Sequence, residues 1–177
     1  MTSLLAALVF LATQSGENPG EQFTRFAGYD LGKATLLEFQ DRYGRSRVRE
    51  RGDAGEYEAW ICYATPTGEV QFNSGEIGNG TDLLGFTLSK KLTGSDCQKP
   101  KVALPNNISG LALGASKIDF TAFAKNSVAW AKDVETTKFE YRTKTADGVP
   151  LDVSITVIAT FRSDKLIELV VWKIETT

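Results

Sequence analysis

Gly28-Tyr29-Asp30-Leu31-Gly32, followed by Thr35-Leu36-Leu37-Glu38-Phe39, is echoed later by Gly110-Leu111-Ala112-Leu113-Gly114 and Ser116-Lys117-Ile118-Asp119-Phe120. The two matches differ by one residue of slippage. In each copy a Gly-bracketed stretch precedes a hydroxyl residue, with a carboxylate three positions on. That is the capping-box spacing, which satisfies orphan N–H groups at a helix start. Internal duplication outranks any local reading of secondary structure. The chain is therefore expected to be an α+β protein of two tandem repeats, each a short helix packed on a four-stranded antiparallel sheet.

Working outward, the first helix is predicted from Leu36 to Tyr43, capped by Thr35 and stopped by Gly44, with Leu36, Phe39 and Tyr43 sharing a face. Strands follow at Arg45 to Arg51, Tyr57 to Ala64, Val70 to Glu76 and Leu84 to Leu88, joined by turn chemistry at Thr65-Pro66-Thr67-Gly68 and Gly78-Asn79-Gly80-Thr81. The first repeat spans 16–92. A broken stretch over 93–109, with Gly94, Pro100 and Pro105, reads as a linker to the second repeat at 110–177. There the helix runs from Lys117 to Lys125, and strands are expected at Val128 to Lys132, Lys138 to Thr143, Asp152 to Arg162 and Lys165 to Glu175.

The last two strands make the best hairpin. With Ser163 and Asp164 as a two-residue loop, Phe161 faces Leu166, Val157 faces Val170, Ile155 faces Trp172 and Val153 faces Ile174, all toward the core. The opposite side then carries Ile158, Ile167, Leu169 and Val171. A sheet apolar on both faces needs a second cover, which could be the other repeat, a twin subunit or a foreign protein.

The sharpest local signal is Arg45, Arg47, Arg49 and Arg51 at period two, which in a strand project from one face. Guanidinium forks suit carboxylates or phosphates. An equally simple account is a solvated edge strand whose charge resists aggregation. The Gly75–Asp82 stretch fits no EF-hand or phosphate-loop spacing and reads as a turn between strands. No pair of carboxylates stands out as an acid and base. Asn79-Gly80-Thr81 and Asn107-Ile108-Ser109 fit the glycosylation sequon, relevant only in a eukaryotic secretory route.

The 177 residues hold no histidine and carry a formal net charge of −2. The first fact removes the usual metal ligand, the usual base near neutral pH and every Ser-His or Cys-His arrangement; the second argues against nucleic acid. No metal, cofactor or catalytic residue is expected. Residues 1–15 hold an uncharged apolar run, Leu4 to Ala12, too short to span a bilayer. It reads as part of a secretory signal peptide, the alternative being a buried terminal element. Cys62 and Cys97 fit one disulfide in an exported protein. A periplasmic or secreted location follows, without stable membrane insertion.

The repeated Gly-x-x-Leu-Gly motif with its Ser or Thr cap and short helix, at Gly28 to Phe39 and Gly110 to Phe120, resembles the helix-plus-sheet modules of bacterial envelope and secreted proteins. That type includes the small outer-membrane assembly lipoprotein and, in tandem form, the beta-lactamase inhibitory protein. The resemblance implies two sheets side by side, helices on one face and an open face used to bind protein. This chain departs from the type in having one Cys pair where the tandem inhibitor would have one per repeat, and no lipid-attachment Cys.

The reading is thus of a non-catalytic protein that binds another protein, an enzyme or a toxin, as an inhibitor or immunity-type protein. The competing readings are an envelope assembly adaptor and a hydrolase with a carboxylate site between the repeats, and a homodimer stays open. The residues expected to carry binding are Arg45, Arg47, Arg49 and Arg51 for orientation, with Trp60, Tyr63, Ile167, Leu169 and Val171 for apolar burial.

Overall fold

The computed structural model describes Asn18 and residues 20–53, 55–90, 96–125, 129–131 and 133–177; the apolar run at Leu4 to Ala12 lies outside them. After a 3-10 turn, Glu21–Phe23, come β1 (Arg25–Phe26), β2 (Tyr29–Asp30), α1 (Leu36–Tyr43), β3 (Arg49–Arg51), β4 (Glu58–Thr65), β5 (Gly68–Gly75) and β6 (Gly85–Ser89). Next are β7 (Asn107–Ile108), β8 (Leu111–Ala112), α2 (Lys117–Ala124), β9 (Ala129–Ala131), β10 (Val134–Lys144), β11 (Pro150–Arg162) and β12 (Lys165–Thr176).

Both capping boxes form. The Thr35 hydroxyl accepts from the Glu38 amide at 3.3 Å while the Glu38 carboxylate accepts from the Thr35 amide at 2.7 Å. Ser116 and Asp119 make the same exchange at 3.2 and 3.1 Å. Ahead of each helix stands a small hairpin that the sequence reading did not assign. Its turn residues, Ala27-Gly28 in β1–β2 and Ser109-Gly110 in β7–β8, all have positive φ, the backbone twist that favours tight two-residue hairpins. The second hairpin shortens the expected irregular linker over 93–109.

The large strands form one continuous antiparallel sheet in the order β3-β4-β5-β6-β12-β11-β10-β9. It is α+β, with the two helices on one face. At the seam β6 pairs directly with β12, placing Phe86 opposite Val171 and Leu88 opposite Leu169. All four side chains are buried. The halves therefore meet through a hydrogen-bonded, apolar seam as one sheet, not as two separate sheets side by side.

Aromatic rings from the first segment bridge both halves. Phe26 lies 5.6 Å from Phe72 and 5.1 Å from Phe86, whereas Phe23 reaches the other side, 6.0 Å from Phe120 and 5.9 Å from Phe139. The Gln22 side chain donates to the Phe123 carbonyl at the end of α2. Phe39 of α1 sits 3.9 Å from Phe72 on the sheet, and Phe120 of α2 meets Phe161 edge-on at 5.8 Å. Aromatic contacts of this kind add to the apolar burial of each ring.

The β11–β12 hairpin turns at Ser163-Asp164, both at positive φ, with Arg162 opposite Lys165 and Phe161 opposite Leu166. Beyond that point the expected register fails. A bulge places both Ile167 and Glu168 near Thr160, and from there Val157 faces Val171, Ile155 faces Lys173 and Val153 faces Glu175. One extra residue moves every later side chain of β12 to the opposite face. Leu169 and Val171 therefore point into the helix-covered core at 0% exposure, while Val170, Trp172 and Ile174 take the other face. The reason is Glu168: an unbroken alternation from Leu166 would bury its carboxylate, which costs far more than one irregular ladder position.

The expected strand over Arg45 to Arg51 is also shorter. Only Arg49–Arg51 pairs with β4. Upstream, the buried Ser46 hydroxyl accepts from the Cys62 amide at 3.2 Å and donates to the Cys62 carbonyl at 2.9 Å, so a side chain replaces the backbone at this edge. Arg45 and Arg47 flank it in irregular, exposed chain. Along the same edge, Gln98 donates to Cys62 and accepts from Ala64, and the Cys62–Cys97 disulfide fastens this segment to β4.

Two stability measurements check this account. Reducing the disulfide or replacing both cysteines by Ala should cost about 3–4 kcal/mol in denaturant unfolding, since it opens a loop with a sequence separation of 35. Leu169→Ala should destabilise by about 2–5 kcal/mol and Val170→Ala by under about 1.5 kcal/mol; a reversed order would mean the bulge is absent.

Candidate functional site

The sheet has one face packed by helices and an opposite face on which Trp60, Trp172, Val170 and Ile158 stay partly exposed. Cross-strand pairs share a face, so the register defines the open side directly. One row across it runs Arg49, Trp60, Asn73, Gly85, Trp172, Thr156 and Lys138, and the next runs Cys62, Gln71, Thr87, Val170, Ile158 and Thr136. Two tryptophans thus flank a centre made of small and amide side chains. Gly85 is required there: a Cβ on it would stand 2.9 Å from the Trp172 ring and 2.5 Å from the Val171 carbonyl. The Gln71 amide donates to Asn73, which holds both side chains along β5.

Arginines occupy one margin of this face. Arg51 pairs with Glu58 at 2.7 Å and lies over the Trp60 ring at 5.7 Å, which orients the indole. Arg49 stands directly across from Trp60. The opposite margin carries Lys138, bonded to Glu140 at 2.7 Å, and Arg142, held by Asp152 with contacts at 2.6 and 3.2 Å. Exposed pairs such as these contribute little stability but do fix where charge stands.

At one end the open face deepens into a trough of about 620 Å³. Its floor is apolar, from Leu84, Trp172 and Ile174, and Ile77 stands at its wall. Tyr57, the three glycines Gly52, Gly55 and Gly75, Arg51 and the carboxylates of Glu56, Glu58 and Glu76 complete the lining. Among the described residues no group of three or more Cys, Asp or Glu is arranged to hold a metal ion.

The expected site residues fall into three groups. Trp60, Arg49 and Arg51 are together on the open face. Arg45 and Arg47 are exposed but outside the strand, so the row of four does not share one face. Tyr63, Leu169 and Val171 are fully buried on the helix side, and Ile167 is half-buried at the bulge. Tyr63 donates to the Gly44 carbonyl at 2.6 Å, and burial pushes its phenol up to about 12. Trp172, Val170, Ile174 and Tyr57 were missed as surface residues, whereas Ile158 lies on the side away from the core, as its place in the hairpin predicts. The carboxylate at Glu168 was the signal that could have shown the true phase of β12.

Two ionisable clusters lie on the covered face. Lys173, buried on β12, contacts Glu175 at 2.9 Å and Glu21 at 3.7 Å, and Glu21 also accepts from Thr24 at 2.7 Å and from Tyr141. Burial pushes the Glu21 carboxyl up, but the hydrogen bonds from Tyr141 and Thr24 and the Lys173 ammonium outweigh it and hold the group below its ordinary value. The network clamps the first segment to the sheet. Glu135 on β10 is different. It is fully buried, neither carboxylate oxygen has a hydrogen-bond partner among the described residues, and desolvation, only partly offset by Lys117, pushes it up to about 7.

No protein-family model and no curated protein matches the chain. Among solved structures, the chain is similar to a protein from Streptococcus mutans described as a candidate beta-lactamase inhibitor, with 9% identity over 90% of this chain and 98% of the other, at a TM-score of 0.29. A likeness at that score says nothing about function. No helix among the described residues is long and apolar enough to cross a membrane.

Glu135 generates a pH prediction. Its carboxyl stays protonated in the folded state after the unfolded chain has ionised, so the unfolded state binds fewer protons and stability falls as pH rises from about 4.5 to about 7. The loss should be on the order of 3 kcal/mol and complete above that window. Glu135→Gln should flatten this slope in thermal unfolding measured at several pH values; an unchanged slope would place the titration elsewhere.

Proposed function

We propose that the chain is a non-catalytic exported protein, built of two related helix-plus-sheet units, whose open sheet face binds another protein in the manner of an enzyme inhibitor or immunity-type protein. The observation that carries this is the asymmetry of the sheet. One face is sealed by α1, α2 and the bridging phenylalanines, while the other presents Trp60, Trp172, Val170, Ile158 and Ile174 half-buried to exposed. Apolar and aromatic side chains on a rigid sheet are what a protein interface uses as anchors.

The order hairpin, helix and four strands occurs on each side of the β6–β12 seam, which supports two related units. The disulfide supports an oxidising compartment. Charge on the two margins, Arg49 and Arg51 on one and Lys138 and Arg142 on the other, would set orientation rather than affinity. An interface on this face would bury roughly 800 Å² per partner.

The test is capture of a partner from envelope and culture fractions by the purified protein, with the captured protein identified by mass and its activity measured with and without this chain. The Trp60→Ala/Trp172→Ala pair should cut capture at least about tenfold. Arg49→Ser should slow association and make it less sensitive to salt. Arg45→Ser/Arg47→Ser should leave capture unchanged. Equal capture by wild type and the tryptophan pair would remove the open face from the function.

A further inference from the structure

The trough at the end of the open face has a chemistry of its own. Three carboxylates, Glu56, Glu58 and Glu76, line it against one cation, Arg51. That cation is already engaged, bonded to Glu58 through both Nε and Nη2 at 2.8 and 2.7 Å and stacked over Trp60. Glu56 and Glu76 are exposed and have no ion-pair partner among the described residues. Beneath them the floor is apolar, from Leu84, Trp172 and Ile174, and Ile174 is 38% exposed.

Two facts make this a built feature rather than a loose surface. The bulge in β12 is what turns Trp172 and Ile174 outward. Glycine also sets the bordering wall: Gly52 and Gly55 have positive φ, and the Glu56 carbonyl lies so close to Gly52 that a Cβ there would stand 2.2 Å from it. The trough is too open to enclose a small molecule, yet it has room for one or two protruding side chains.

We infer that the trough receives a basic loop of the partner protein, with a Lys or Arg whose aliphatic stem lies along Trp172 and Ile174 and whose charged head reaches Glu56 and Glu76. This rests on the open face being the binding surface and adds what that partner must present. The basis is charge complementarity. A long cationic side chain is the residue type that satisfies an apolar floor and an acidic rim at once, because its stem is apolar and its head is not. The Trp172 ring offers a further attraction for a cation over its face. The arginines at the neighbouring margin repel a partner that is basic throughout, so the loop should be a basic tip on an otherwise neutral or acidic surface.

The probe is a phage-displayed library of random disulfide-cyclised heptapeptides, selected on the intact, disulfide-bonded protein. Peptides enriched at the trough should carry Lys or Arg beside a large apolar residue. Synthesised winners should bind at least about tenfold more weakly to Glu56→Gln/Glu76→Gln and to Trp172→Ala, and to wild type in about 0.5 M salt. They should bind Arg45→Ser/Arg47→Ser as they bind wild type, and thermal melts confirm that each variant folds. Winners that need Trp172 but lack a basic residue, or that ignore the Gln pair, overturn the inference and leave the open-face reading intact. An empty selection also overturns it. Winners indifferent to both Trp60→Ala and Trp172→Ala sink the open-face reading itself.

Discussion

The phase of one strand governs both sides of this sheet. At Ile167-Glu168 the β12 backbone takes up an extra residue, and every side chain beyond it is assigned to a face by that step. Leu169 and Val171 close the seam with Leu88 and Phe86 beneath the helices, while Trp172 and Ile174 are released to the open side. Had the strand run without the bulge, Glu168 would have been driven into the core and Trp172 with it. Burying an ionised carboxylate without a partner is the larger penalty, so the irregularity is the stable arrangement.

The same step puts Lys173 on the covered face, which would be untenable in isolation. Its ammonium survives there because Glu175 and Glu21 face it and the Tyr141 hydroxyl completes the shell around Glu21. A buried pair of this kind is a weak source of net stability, but removing one partner leaves a charge stranded. The network therefore specifies where the first segment docks. That segment carries Phe23 and Phe26 into opposite halves of the core, so docking it also joins the halves. Glu135 has no such shell among the described residues, and its carboxyl is raised by burial.

Function, on this view, follows from what the helices do not cover. Two eight-residue helices and the bridging aromatics suffice to seal one side of an eight-stranded sheet. The other side keeps a pair of indoles spaced by Asn73 and Gly85, arginines at one margin and an acid-rimmed trough at the end. Short edge strands limit uncontrolled pairing: β3 and β9 have three residues each, and the charged positions of β10 alternate along its length. On the proposed function, the broad face is what meets a partner, while the edges stay unattractive to further strands.

Local chemistry was legible without coordinates. The two capping boxes, the α1 span from Leu36 to Tyr43, the Ser163-Asp164 turn and the Cys62–Cys97 bridge each depend on residues close in sequence or on an elimination among few candidates. The strands themselves were legible too, because alternation reports a half-buried ribbon. What residue order alone could not decide was phase and adjacency. Whether Val171 or Trp172 lies inside depends on one bulge, whose cost is weighed against the burial of Glu168 by the whole sheet. Whether Arg45 and Arg47 belong to a strand depends on Ser46 finding the Cys62 backbone, and whether the halves form two sheets or one depends on β6 meeting β12. Those are long-range balances of burial and hydrogen bonding, and only the assembled tertiary structure evaluates them.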